Sequence, residues 1–235
     1  MERMNNRRGL LSALDQGLNL DSNQTLASMN DFQRQAFDLL TSNNAQKAFK
    51  LSEEPDSVRD RYGRNIYGQS VLLARRLIEA NTRVVTMSWA PDANATWDTH
   101  GQNFNSLKNT LLPQFDAACS SLIADLAERG MLQRTLVAVL GDFGRTPKIN
   151  NNAGRDHWNS CYSIMLAGGG IKPGFVLGAS DRSGAVPTHS PVSPGDIVAT
   201  MYRLLGIDHQ HLIYDTLNRP HTVVPEARLV PEIIA

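Results

Sequence analysis

Thr135-Leu136-Val137-Ala138-Val139-Leu140 is a nearly unbroken apolar run. It is far too short to cross a bilayer, and it lacks the polar alternation of a strand with one wet face. Such a run fits a strand covered by helices on both sides, the usual situation in a parallel sheet. The residues before it supply the cover. Leu107, Leu111, Leu112, Phe115, Ala118, Leu122, Ile123 and Leu126 recur at spacings of three and four, and Gly130 follows the last turn; this predicts a long helix over 104–129. Upstream, the β-branched and apolar stretch 83–89 predicts a buried strand. Strand, helix and strand in that order make a right-handed crossover unit. The expected fold class is therefore α/β, a mostly parallel sheet with helices on both faces.

Two further helices follow from the same periodicity. Val71, Leu72, Ala74, Leu77 and Ile78 predict an amphipathic helix over 69–80, with Asn81 at its C-terminal cap. Residues 196–205 predict another, closed by Gly206. Extended segments are expected at 162–167 and 175–177. Residues 1–54 are polar, with Phe32, Ala36, Leu39, Leu40, Ala45, Ala48 and Phe49 at helical spacing. They read as a helical N-terminal segment ahead of a main domain at 55–235.

Composition narrows the function classes. With 41% hydrophobic and 20% charged residues the chain can bury a core. Its 23 basic and 23 acidic residues cancel, so the charge balance gives no reason to expect nucleic acid as a partner. No apolar stretch is long enough for a membrane span. Arg7 and Arg8 precede Gly9-Leu10-Leu11, but Ser12, Asp15 and Gln16 interrupt the apolar region that an export signal needs. The two cysteines, Cys119 and Cys161, form neither a zinc knuckle nor a disulfide framework and read as buried small residues.

Ligands of open α/β sheets gather at strand ends, and three loops there are rich in chemistry. The first is Trp97-Asp98-Thr99-His100-Gly101, where a carboxylate and an imidazole two residues apart share a side if the chain is extended. The second is Gly141-Asp142-Phe143-Gly144-Arg145-Thr146-Pro147, and the third is Gly154-Arg155-Asp156-His157-Trp158. Together they offer Asp98, His100, Asp142, Asp156 and His157 as ligands and Arg145 and Arg155 as oxyanion partners. Such mixed donors suit zinc, manganese or iron. Each loop alone has an ordinary explanation, since Asp142 can cap a turn and pair with Arg145, and Asp156 can cap a helix. Their recurrence at successive strand ends favours the metal.

Other candidates carry less. His189, His209, His211 and His221 fall in turn-rich or solvated segments. No Gly-x-Ser-x-Gly elbow marks a nucleophile. Gly168-Gly169-Gly170 lacks the Gly-Lys-Ser/Thr ending of a phosphate loop.

The motifs Arg61-Tyr62-Gly63, Gly68-Gln69-Ser70 and Leu73-Ala74-Arg75-Arg76-Leu77, with the three loops above, resemble the domain of unknown function family 1501. The resemblance continues through Leu166-Ala167-Gly168-Gly169-Gly170, Gly178-Ala179-Ser180-Asp181, Pro194-Gly195-Asp196-Ile197-Val198-Ala199-Thr200, Leu205-Gly206-Ile207 and Arg219-Pro220, and so covers about residues 59–224. That family looks like a sulfatase-like branch of the alkaline phosphatase superfamily. The resemblance implies an alkaline phosphatase-like fold, incomplete at the N-terminus, and a divalent cofactor: zinc, manganese or calcium. It implies Asp98, His100 and His157 as ligands of one metal and Asp142 of a second. Phe143 stands where the superfamily commonly has histidine, Asp142 where the family usually has glutamate, and Asp156 offers a substitute ligand.

Family members resemble proteins about twice this long, with an export signal, a further metal-binding aspartate and a hydroxyl nucleophile in the first half. Nothing before Arg59 resembles that half, so the expectation is a truncated or separately encoded C-terminal part, inactive alone, with a separately encoded N-terminal half as partner. The expected function is hydrolysis of phosphate or sulfate esters, on a small anionic ester or a sulfated polysaccharide, with Arg145 or Arg155 balancing transition-state charge. The alternatives are a non-catalytic metal-stabilised or carbohydrate-associated module, or a gene remnant.

Overall fold

A computed structural model describes residues 43–89 and 97–235, together with isolated helical positions at residues 6, 7, 9, 10, 13 and 32. Phe32 is one of these. The expectations at Ala36, Leu39 and Leu40 lie outside the described residues, and Ala45, Ala48 and Phe49 fall at or beside helix α1 (Asn43–Ala48). The chain divides into two compact units, Met1–Met87 and Ser88–Ala235.

In the first unit, α1 is followed by a 3-10 turn (Leu51–Glu53), α2 (Asp56–Tyr62) and α3 (Ile66–Glu79). The Asn65 side chain caps α3 by accepting from the N–H groups of Tyr67 at 3.0 Å and Gly68 at 2.9 Å. At the other end Asn81 takes a left-handed φ of 69° and Thr82 N–H returns to the Leu77 carbonyl; asparagine tolerates that conformation better than most residues. Leu72 and Tyr62 are fully buried, and so is Arg75. The Arg75 guanidinium lies 2.8 Å from Glu54 and 2.6 Å from Glu79, while Arg76 pairs with the second oxygen of Glu54 and donates to the Ala48 carbonyl at 2.8 Å. Burial pushes the Glu54 carboxyl up, but Arg75 and Arg76 outweigh it and hold it below the usual carboxylate range. Residue 54, where the sequence places a boundary, thus lies inside the first unit.

In the second unit, the helix expected over 104–129 starts as α4 (Asn103–Ser106), widens into a π turn (Leu107–Leu111) and continues as α5 (Leu112–Glu128). Pro113 lacks the N–H that would reach back one turn, which accounts for a wide turn at this place. Leu111, Ala118 and Leu126 form its buried stripe, and Gly130, with φ 64°, ends it. The strands are β1 (Val137–Val139), β2 (Gly144–Arg145), β3 (His157–Trp158), β4 (Met165–Ala167), β5 (Ala179–Ser180), β6 (Pro187–His189), β7 (Leu212–Tyr214) and β8 (Pro220–Thr222), with α6 (Pro194–Leu204) between β6 and β7.

They pair as β1–β4, β2–β3, β5–β6 and β7–β8, all antiparallel. No parallel pair occurs among the described residues. Residues 84–88 form no strand there, and neither do 175–177. The 135–140 run gives a strand only at its centre, half-buried throughout, and Leu140 is exposed. Apolar character marks a segment that gains from burial; the partner strand depends on distant residues that the run does not specify. No helix of the described residues is long and apolar enough to cross a membrane.

The C-terminal residues close on α6 through two polar side chains. Asp196 and Ser193 form a reciprocal capping box. Asp196 Oδ1 also accepts from Arg228 N–H at 2.9 Å, and Thr200 Oγ1 accepts from Val230 N–H at 3.0 Å. Burial would raise the Asp196 carboxyl, but the backbone N–H groups of Arg228 and Ser193 keep it below its ordinary value.

Two outcomes follow from these buried carboxylates. Glu54→Ala leaves Arg75 buried with one carboxylate fewer and should cost about 3 kcal/mol in chemical denaturation, whereas an exposed pair would cost under about 1 kcal/mol. Asp196→Ala removes the cap and the tie to Arg228, a loss of about 2 kcal/mol at neutral pH. Because its folded pKa is depressed, the Asp196 contribution is complete above about pH 4 and disappears as pH falls through the folded value. The stability gap between wild type and Asp196→Ala should therefore narrow on acidification; a gap constant down to pH 2 would contradict the assignment.

Candidate metal centre

The loop at 97–103 is held at one end by aromatic packing. The Trp97 ring meets Phe115 of α5 edge-on at 5.9 Å and Trp89 at 6.4 Å, and Trp89 meets Phe115 at 5.9 Å. The segment is not extended. Thr99 N–H donates to the Trp97 carbonyl and His100 N–H to the Asp98 carbonyl, both at 3.1 Å, so successive tight turns bring Asp98 and His100 round to a common point. The loop then docks on residues 150–155 through the backbone: Gln102 N–H to Asn152 O at 3.0 Å, Asn103 N–H to Ala153 O at 2.9 Å, and Arg155 N–H to Thr99 O at 3.1 Å. Gly154 makes this approach feasible, since a Cβ there would stand 1.9 Å from the His100 carbonyl oxygen.

The β2–β3 pair supplies the other side. Arg145 stands opposite His157 and Gly144 opposite Trp158, and directly opposed residues project from one face. Arg145 and His157 therefore both reach Asp98. Trp158 turns away and donates from Nε1 to the Ala185 carbonyl at 2.7 Å. At Gly144 a Cβ would lie 2.2 Å from the Cys161 carbonyl oxygen, which seats the pair against the following chain.

Asp98 Oδ1 lies 3.0 Å from His100 Nε2 and 2.9 Å from His157 Nε2, and the two imidazole nitrogens are 3.1 Å apart. His100 Nδ1 contacts Asp156 Oδ1 at 2.9 Å. An ionised carboxylate only accepts, so this contact places the His100 proton on Nδ1 and leaves, in the neutral ring, a lone pair on Nε2. Three acceptor atoms then converge, with at most one proton, on His157 Nε2, to separate them when both rings are neutral. Donors about 2 Å from a tetrahedral zinc ion stand roughly 3.3 Å apart, close to the spacing found. The residues present thus fit a divalent cation, and Asp156 takes the part of a carboxylate that orients a ligating histidine.

The electrostatics agree. The His157 hydrogen bond, then that of Arg145, holds the Asp98 carboxyl below the usual range. The His100 hydrogen bond, then that of Asn150, does the same for Asp156. Arg145 Nη2 is 2.6 Å from Asp98 Oδ1 and 3.0 Å from the Trp97 carbonyl, and its Nη1 donates to the Arg155 carbonyl at 3.2 Å. Two carboxylates and one guanidinium leave the cluster one negative charge, which favours cation entry. The Phe143 ring packs 4.2 Å from His157 and walls one side.

Asp98, His100, Asp156, His157 and Arg145 are thus brought together, and the donor atoms of the first, second and fourth lie close enough to share one cation. Asp142 is exposed, has no hydrogen bond or ion pair among the described residues, and is not among the donors that could share the cation. Arg155 lies with its guanidinium 5.6 Å from the centre of the Phe104 ring, its Nε buried without a hydrogen-bond partner. Sequence reasoning passed over Asn150, whose amide reaches both His100 and Asp156. The signal available was Asn150-Asn151-Asn152-Ala153-Gly154, a stretch rich in residues that fold tight turns.

Fold and cluster together place two histidines and one carboxylate, whose donor atoms could share a cation, on helices and short antiparallel pairs. The chain belongs to the family described as protein of unknown function (DUF1501), which matches residues 1–234. The match extends beyond the motif resemblance, which covers about residues 59–224, to the N-terminal residues. No curated protein and no solved structure matches the chain.

Gly154→Ala tests the docking of the loops. Its Cβ cannot be accommodated without moving backbone, so a stability loss of about 2–3 kcal/mol is expected, together with loss of any metal held by Asp98, His100 and His157. Unchanged stability and metal content would show that the loops do not meet at this glycine.

Proposed function

We propose that this chain holds one divalent cation through Asp98, His100 and His157, and that the family's domain hydrolyses phosphate or sulfate esters at that site. The observation that carries the reading is the convergence of Asp98 Oδ1 with the two Nε2 atoms within 2.9–3.1 Å, with Asp156 on the far nitrogen of His100. Two imidazoles and a carboxylate suit zinc, manganese or iron(II); calcium prefers an all-oxygen shell. When bound, the cation supplies Lewis acidity and a water acidified toward neutral pH.

The chain's own residues divide the remaining work. Asp156 fixes the His100 tautomer, and Arg145 holds Asp98 in place. Arg155, whose guanidinium has no hydrogen bond to a described protein group, is the cation left to meet an anionic ester oxygen. With no hydroxyl nucleophile assigned in this chain, the proposal carries little or no turnover by the chain alone. The sulfatase-like, alkaline phosphatase-like placement and its parallel sheet belong to the same proposal, supported by the order of the three ligand-rich loops. A second reading, a non-catalytic metal-stabilised module, is favoured by Phe143, which sets hydrocarbon against His157.

Elemental mass spectrometry of the purified chain decides the first half: wild type should retain near-stoichiometric metal, and His100→Ala and His157→Ala should each lose it. Absence of metal in wild type, with no thermal shift on adding zinc or manganese, would sink the assignment. Hydrolysis of aryl phosphate or sulfate esters, lost in a folded His157→Ala, would mark an enzyme; retained metal without hydrolysis would mark the module.

A further inference from the structure

Asn150 occupies an unusual place beside the cluster. Its Nδ2 donates to the His100 carbonyl at 2.9 Å and to Asp156 Oδ1 at 3.0 Å. Its Oδ1 accepts from the N–H groups of Asn152 and Gly154, both at 2.9 Å, and its own N–H donates to the Gly154 carbonyl at 2.9 Å. One amide therefore closes the 150–154 turn, grips the backbone of one histidine ligand and holds the carboxylate that contacts that histidine's ring.

We infer that Asn150 is the positioning residue of the metal site: through one Nδ2 group it sets Asp156 and His100 relative to each other, and so aims His100 Nε2 at the cation. This rests on the metal reading above. The alternative for a residue so placed is a turn-former alone, and its two halves separate the roles. Oδ1 serves the turn, while Nδ2 serves the site. Asp156 is exposed and has no other side-chain partner that fixes it against His100 among the described residues; its backbone is held separately, by N–H donation to Thr146 Oγ1 at 3.1 Å and by accepting from Thr146 N–H at 2.9 Å. Without Nδ2, the carboxylate is free to rotate and the His100 carbonyl loses its side-chain donor, while the Asp156 backbone stays held by Thr146 and the loops by their peptide hydrogen bonds. Carboxylates behind metal-bound histidines typically change metal affinity by about tenfold to a hundredfold, and the group that orients the carboxylate acts on the same quantity.

Asn150→Asp keeps the Oδ1 acceptor for the turn and removes the donor. Zinc affinity by competition titration, the visible spectrum of the cobalt-loaded chain and the melting temperature of the metal-free chain are measured for wild type, Asn150→Asp, Asp156→Asn and the double variant. The expected result is a loss of about tenfold or more in zinc affinity for each single variant, an altered cobalt spectrum, and a metal-free melting temperature within a few degrees of wild type. The double variant should bind no more weakly than Asp156→Asn, because the two residues act in series. Wild-type affinity in Asn150→Asp, fully additive losses, or a loss that only tracks a fallen melting temperature would each overturn the inference while leaving the metal site standing. A wild-type chain that takes up neither zinc nor cobalt would instead remove the metal reading itself.

Discussion

The candidate site depends on one close approach of backbone to backbone. Gly154 lets the 150–155 segment come against the His100 peptide, where any Cβ would overlap the carbonyl oxygen. Three backbone hydrogen bonds between the loops form only at that separation. The ligands themselves are exposed, Asp98 and the two histidines being about half accessible, so hydrophobic burial does little to fix them. Their positions come instead from peptide groups that must satisfy one another. The aromatic contact of Trp97 with Phe115 then ties the loop to α5, the element with the most continuous buried stripe in the second unit.

That arrangement explains how an exposed cluster keeps its geometry. A side chain on a mobile loop loses rotamer freedom when a cation binds, and this cost subtracts from affinity. Here part of the ordering is already in place. Arg145 is committed to three acceptors, Asp156 to the His100 ring, and Phe143 to the face of His157. The same commitments distinguish the two arginines. Arg145 neutralises and steers Asp98 and has little left to offer a substrate, whereas Arg155 uses only its backbone groups in the loop contacts.

Most helices were legible in the sequence because their signals are local. Apolar spacing, Asn81 and Gly206 located α3 and α6 to within a few residues of the observed ends; the short helix α2 carried no such periodicity and was not expected, and the π turn before Pro113 departs from the regular pattern. The ligand-rich loops were legible as chemistry, since aspartate and histidine two residues apart are conspicuous. Their geometry was not, because Asp98 and His100 converge through tight turns and not through an extended chain. The antiparallel partner of β1, 26 or more residues away in the register Val139 to Met165, leaves no mark on the run itself. Asn150 was hidden for a related reason: an asparagine in a polar turn looks like any other until the carboxylate it holds is known.

Asp142 and Phe143 bear on how many cations such a site can take. In two-metal sites the cations stand about 3.5–4 Å apart, and resemblance to two-metal enzymes would draw the second cation's donors from 142 and 143. Asp142 is exposed and unpaired among the described residues, and Phe143 offers a ring with no lone pair, packed on His157. Asp156, the remaining carboxylate, is engaged by His100 Nδ1 and Asn150; moving it to a second cation would release the contact that fixes the His100 tautomer. Within the proposal above, Phe143 has no donor to give and Asp156 already orients His100, so a second cation would have Asp142 alone as an uncommitted carboxylate of the three loops.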